Sequence, residues 1–147
     1  MRISVPDSAP PSTDVIADIL KKYKTIAVVG LSSNTSRPSF GVTQYMQSRG
    51  YEIIPVNPNE TEVLGGKSYA RLEDIPKTHK IEIVDIFRRS QNVPPVIDSA
   101  IAMGAKVIWM QQGIENQVAA AKARAAGIFV IEDACILIEH RLRFHSR

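Results

Sequence analysis

Five short apolar runs, rich in β-branched residues, punctuate the chain at 26–29, 51–56, 81–86, 106–110 and 128–131. The first carries no polar side chain at all, as expected of a strand buried on both faces in a parallel sheet. Between the runs the apolar period lengthens. Val15, Ile16, Ile19 and Leu20 fall on one helical face, as do Val42, Tyr45 and Met46, and then Val96, Ile97, Ala100 and Ile101. Further helices are predicted over about 115–126 and from about 134. Thr13 or Asp14 can cap the first helix, and Pro94 and Pro95 suit a first helical turn. Gly50, Gly104 and Gly127 supply left-handed caps after three last turns. Strand and helix alternate throughout. The chain therefore predicts an α/β fold, an open three-layer sheet of five mainly parallel strands with flanking helices. Right-handed crossovers join the strands, in the order 3-2-1-4-5.

A chain of 147 residues fills one domain. Residues 1–12 hold Pro6, Pro10 and Pro11 among small polar residues and read as a flexible N-terminal arm, leaving 13–147 as the folded domain. The formal charge of +3 is dispersed, without a Lys/Arg block, which argues against a nucleic-acid partner. No apolar run reaches the length of a membrane span and the N-terminus has no hydrophobic signal core, so a cytoplasmic protein without a membrane partner is expected. A lone cysteine, Cys135, fits that compartment. His79, His140 and His145 lack ligand spacing, so no metal site is expected, and 140–147 reads as the solvated end of the last helix.

In such sheets ligands lie beyond the carboxyl ends of the strands, so chemistry is sought just after each one. The first strand ends at Gly30, and Leu31, Ser32, Ser33, Asn34, Thr35, Ser36 and Arg37 lead into a helix. Unsatisfied N–H groups at a helix start, hydroxyl donors and a guanidinium fork together suit a pyrophosphate. A dinucleotide fingerprint would read Gly-x-Gly-x-x-Gly, whereas here Leu31 and Ser32 follow Gly30 and the next glycine is Gly41. The second strand leads to Val56, Asn57 and Pro58, where a nicotinamide-dinucleotide enzyme normally places an acid; Asn57 is not one. After the third strand come Phe87, Arg88, Arg89 and Ser90. Gln111, Gln112 and Gly113 follow the fourth, and Glu132, Asp133, Ala134 and Cys135 the fifth. No nucleophile is paired with a base among them.

Taken in order, these residues resemble a small stand-alone CoA-binding protein, similar to the Rossmann-like CoA-binding domain of the succinyl-CoA synthetase α subunit. Val29-Gly30-Leu31-Ser32, the helix start Arg37-Pro38-Ser39-Phe40-Gly41, Val56-Asn57-Pro58, the segment from Ser68 to Pro76, Asp85-Ile86-Phe87-Arg88, Gln111-Gln112-Gly113 and the late Cys135 carry the likeness. It covers roughly residues 13 to 145. The resemblance implies coenzyme A or an acyl-CoA as ligand. Gly30, Ser32, Arg37 and Phe40 would meet the phosphates and neighbouring ribose, Val56, Asn57 and Pro58 would border the adenine and its ribose, and Ile86, Phe87 and Arg88 would line the next wall. Gln111 and Gly113 match a synthetase segment near the pantetheine that reads Thr-Glu-Gly, so the side-chain chemistry there differs. The synthetase's phosphorylated histidine lies in a further domain, and ligase activity is not implied.

The resulting expectation is a CoA-binding module without chemistry of its own. The alternative is a small NAD(P)-dependent oxidoreductase or another nucleotide-using enzyme, and a third reading is a regulatory subunit with a vestigial pocket. Arg88 and Arg89 also read as solvated strand-end charges, Phe87 as core and Cys135 as a small buried hydrophobe. Because CoA is itself a thiol whose pantetheine should cross the strand ends, Cys135 is also a candidate for a mixed disulfide with it.

Overall fold

The computed structural model describes residues 2–4 and 14–144. In chain order the elements are β1 (Arg2–Ser4), α1 (Val15–Lys22), β2 (Thr25–Val29), α2 (Pro38–Ser48), β3 (Glu52–Val56), β4 (Glu62–Val63), β5 (Gly66–Lys67), β6 (Ile83–Ile86), α3 (Val93–Ala102), β7 (Val107–Met110), α4 (Gln117–Ala125), β8 (Phe129–Glu132) and α5 (Ile136–Arg143). The α/β class and the five parallel strands with flanking helices are as the sequence predicts. One sheet runs β1-β8-β7-β6-β2-β3, and β4 and β5 form a separate hairpin. Of the arm predicted at 1–12, residues 2–4 add a sixth, antiparallel strand beside β8, with Ile3 opposite Ile131. Residue 1 and residues 5–12 lie outside the described residues.

Strand order corrects the expectation. Numbered among themselves, the five parallel strands stand 2-1-3-4-5 rather than 3-2-1-4-5, so β3 is an edge and β6 lies between β2 and β7. Pro55 gives the physical reason. It sits inside β3 opposite Val28 without an N–H to offer, and proline within a sheet is confined to edges and ends. Tyr69 then closes the outer edge of β3, donating its N–H to the Pro55 carbonyl at 3.1 Å and accepting from the Asn57 N–H at 2.8 Å. Tyr69 thus occupies that stretch of the edge, where a further strand would have to pair. The connection from β3 to β6 holds the short hairpin and a 3-10 turn at Leu72–Asp74, but no α-helix, and it carries the chain to the other side of β2.

Alternating side chains make two cores. Val84 and Ile86 face Ile97 and Ala100 of α3 and Ala120 and Ala123 of α4. Ile83, Val107 and Trp109 face Ile16 and Leu20 of α1, Met46 of α2 and Ile136 of α5. Full burial of each large apolar side chain contributes roughly 1.5–3 kcal/mol, which is what fixes helices of only eight to eleven residues on the sheet. Asp14 caps α1 by accepting from the Ala17 N–H at 3.0 Å and also holds Arg143 of α5, so its carboxyl stays below the usual range. Of the 140–147 segment read as solvated, residues 145–147 lie outside the described residues, Arg141 and Leu142 are exposed as expected, and His140 is not. His140 is 6% exposed, its Nδ1 lies 2.9 Å from the Tyr45 hydroxyl, and the Tyr45, Tyr51 and Phe144 rings surround it. Burial, with Arg49 and Lys24 nearby, lowers its pKa. A helical period places His140 one turn from Ile136, on the inner face, and that spacing was the available signal.

Candidate functional site

The carboxyl ends of β2, β3 and β6 meet at Gly30. Its φ is +90°, its N–H donates to the Val56 carbonyl at 2.8 Å, and a Cβ built there would lie 2.3 Å from the Phe87 carbonyl oxygen. Only glycine fits that conformation and that approach. Beyond it the loop is laced by its own side chains. The Ser32 N–H donates to Ser39 Oγ at 3.1 Å, the Asn34 N–H donates to Ser32 Oγ at 3.0 Å, and Ser36 donates both its N–H and its hydroxyl to Asn34 Oδ1. Pro38 opens α2, and Arg37 at the N-cap places no side-chain acceptor on the helix. The positive end of α2 is thereby presented to the loop.

A cleft of about 850 Å³ lies over these ends, where the open-sheet rule places a ligand. A larger groove of about 1310 Å³ between Lys22, Ile75, Lys80 and Met103 sits at the amino ends of the strands instead. Electrostatics favours the smaller one. Arg37, Arg88 and Arg89 line it, and among the described residues their guanidinium groups have no hydrogen-bond or ion-pair partner. Glu60 brings one carboxylate, accepting from the Ser33 N–H at 2.8 Å and the Ser33 hydroxyl at 3.0 Å. Three cations against one anion leave a positive cleft suited to a polyphosphate.

The far wall is held by buried hydrogen bonds. Trp109, fully buried on β7, donates Nε1–H to the Ala134 carbonyl at 2.9 Å. Gln111 Oε1 accepts from the Ile136 N–H at 3.2 Å and so caps α5, while Asp133, itself at φ +57°, accepts from the Gly113 N–H at 2.7 Å. These bonds set Cys135, the half-buried N-cap of α5, in the cleft wall.

Residues 24–141 match the family model described as CoA binding domain. The chain belongs to the CoA-binding domain family. This CoA-binding domain is 44% identical over 130 residues to the uncharacterised protein YneT of Bacillus subtilis, covering 88% of the chain and 95% of YneT. Among solved structures it is similar to a protein from Pyrococcus horikoshii, with 38% identity, a TM-score of 0.84 and coverage of 97% of this chain and 98% of the other. It is also similar to part of the dinucleotide-forming acetyl-coenzyme A synthetase 1 of Candidatus Korarchaeum cryptofilum, with 26% identity and a TM-score of 0.64. There the match covers 73% of this chain and 25% of the synthetase.

Of the residues read from sequence, the CoA-binding domain brings Gly30, Ser32, Arg37, Asn57, Phe87, Arg88, Gln111, Gly113 and Cys135 together around the cleft. Val56 and Ile86 are placed elsewhere, 2% and 0% exposed in the core beneath α3. Their carbonyls serve the strand ends, Val56 accepting from Gly30 and Ile86 from the Gln111 N–H. Phe40 packs its ring against the other core, and Pro58 is exposed outside the cleft lining. Asn57 is nearly buried and ties the loops, donating Nδ2–H to the Leu31 carbonyl at 3.0 Å and accepting from the Asn59 N–H at 2.9 Å. Asp85 is 2% exposed, and burial pushes its pKa well up. Glu60 was not foreseen, whereas Ser39 and Ser90 were read only as members of the helix start and of the stretch after the third strand. Glu60 lies four residues past the end of β3, and its turn back into the cleft is set by the loop, for which the sequence carries no periodic signal.

Proposed function

We propose that the cleft binds coenzyme A or an acyl-CoA, with the pyrophosphate over the Gly30–Arg37 loop, the adenosine toward the end of β3 and the pantetheine passing the ends of β7 and β8. The observation that carries this reading is the set of three guanidinium groups, without a partner among the described residues, that line a cleft over a glycine-closed loop and a helix start, within a chain of the CoA-binding family. A nicotinamide-dependent oxidoreductase is the alternative. Its signature, three closely spaced glycines in the loop, is missing. Calorimetric titration with CoA, NAD and ADP tests the choice. CoA should bind at least ten times more tightly than NAD, and NAD binding as tightly as CoA would reverse the assignment.

The same pose sends the CoA thiol toward Cys135. With CoA disulfide as oxidant, the Cys135 thiolate would attack one sulfur, break that S–S bond, form a new one and release one CoA as thiolate. Intact-mass measurement should then show a CoA adduct that reductant removes and that Cys135→Ser lacks. An unmodified parent mass after incubation with CoA disulfide sinks the idea.

A further inference from the structure

The larger groove, at the amino ends of the strands, suits a different kind of contact. It is lined by the connection from Leu72 to Glu82 that leads into β6, by the second half of α3 and by Lys22 and Tyr23 at the end of α1. Leu72, Ile75 and Ile81 give it an apolar floor. They are 3%, 6% and 5% exposed and belong to the core beneath α3, against which the half-buried Met103 also packs. Lys22, Lys77, Lys80 and Lys106 are exposed around that floor. Lys22 lies over the Tyr23 ring, 5.5 Å from its centroid, and the other three have no hydrogen-bond or ion-pair partner among the described residues.

The carboxylates of the lining are already engaged. Asp98 is paired with Lys122 at 2.6 Å, Glu73 accepts from the Ser99 hydroxyl at 3.1 Å, and Glu82 accepts from the Lys24 and Thr25 N–H groups at 2.9 and 3.2 Å. Four ammonium groups therefore outweigh the charges of Glu73 and Glu82. The carbonyls and dipole at a helix end account for Lys22 on α1 and Lys106 after α3. They do not account for Lys77 and Lys80, which stand on the connection and donate to no carbonyl among the described residues.

We propose that this groove docks an acidic segment of a partner protein, with an apolar side chain seated on Ile75, Ile81 and Met103 and flanking carboxylates on Lys77, Lys80 and Lys106. Charge complementarity sets the sign of the partner. The apolar floor sets its class, because an apolar anchor ringed by polar contacts is how protein segments are held, and methionine adapts its shape to such an anchor. Phosphates fit less well. Both α1 and α3 end here, so neither offers the N–H groups of a helix start, and a nucleic-acid strand would bring a charge at every step past Glu73 and Glu82 with one tyrosine for stacking. Groove and cleft lie at opposite ends of the strands, so docking here leaves the cleft open to its ligand.

The experiment is an amide NMR titration of the isotope-labelled full chain. Its probes are the acetylated peptide Leu-Glu-Asp-Leu-Glu-Asp-Leu, the same peptide with glutamine and asparagine for its acids, the same with serine for its leucines, and a short oligothymidylate. The acidic peptide should shift the signals of Ile75, Lys77, Lys80, Ile81 and Met103 and leave those of Gly30 and Ser32 in place. Loss of its acids or of its leucines should each weaken binding about tenfold. Lys77→Glu combined with Lys80→Glu should also weaken it about tenfold, since two attractions become repulsions, with the melting temperature unchanged. Absence of shifts in the groove, equal binding of the neutral or leucine-free peptide, or an unaffected double variant overturns the docking role. Tighter binding of the oligothymidylate in the groove overturns it in favour of nucleic acid.

Discussion

Gly30→Ala is expected to be less stable than the parent by about 2–5 kcal/mol and to lose measurable CoA binding. Two costs add. An L-residue in the left-handed region costs roughly 1–2 kcal/mol, and forcing a methyl group into packed surroundings costs a further ~1–3 kcal/mol. The methyl carbon would stand 2.3 Å from the Phe87 carbonyl oxygen, a backbone atom on the neighbouring strand end that cannot swing aside. Relief requires β2 and β6 to separate at the point where the cleft begins, so the Gly30–Arg37 loop and the Arg88 wall move together. Urea unfolding measures the loss. Gly41→Ala is the control: nothing lies within 4 Å of its added Cβ, and alanine inside α2 should stabilise by about 0.5–1 kcal/mol. Equal unfolding midpoints for Gly30→Ala and the parent would refute the close approach described here.

Arg37→Ala should weaken CoA binding by about 1.5–3 kcal/mol, or roughly ten- to 150-fold, the range for a hydrogen bond to a charged group. The free protein should keep its melting temperature, because Arg37 is exposed and among the described residues its guanidinium has no partner to lose. Affinity and stability therefore separate in this variant, whereas in Gly30→Ala they fall together. Titration and thermal unfolding of the same preparation check both halves. Normal CoA affinity would return Arg37 to the solvated surface, and a large fall in melting temperature would make it a structural residue.

Much of the fold was legible in the chain. Strand and helix periods, with the glycines that end three of the helices, placed the five parallel strands and the helices between them, because these are local patterns that only the right backbone can satisfy. The Gly30–Arg37 loop was legible for the same reason: a glycine, hydroxyls and an arginine between a buried strand and a helix are contiguous in sequence. Pro55 also announced an edge strand, and the expected order put that strand inside the sheet.

Other features rest on residues far apart in sequence. Tyr69 bonding Pro55 at the edge of β3, Glu60 reaching Ser33, and Gln111 capping α5 at Ile136 are contacts across 14, 27 and 25 positions, the last two bringing side chains to backbone N–H groups. No local propensity specifies them. Val56 and Ile86 show the converse, since being next to the site in sequence put them in the core through the two-residue period of a strand. The sequence by itself determined the sheet's strands, its class and the loop that opens the cleft. Only the tertiary structure decided the strand order and the walls of the cleft, because both depend on where the long connection between β3 and β6 crosses, and that is settled by packing rather than by period.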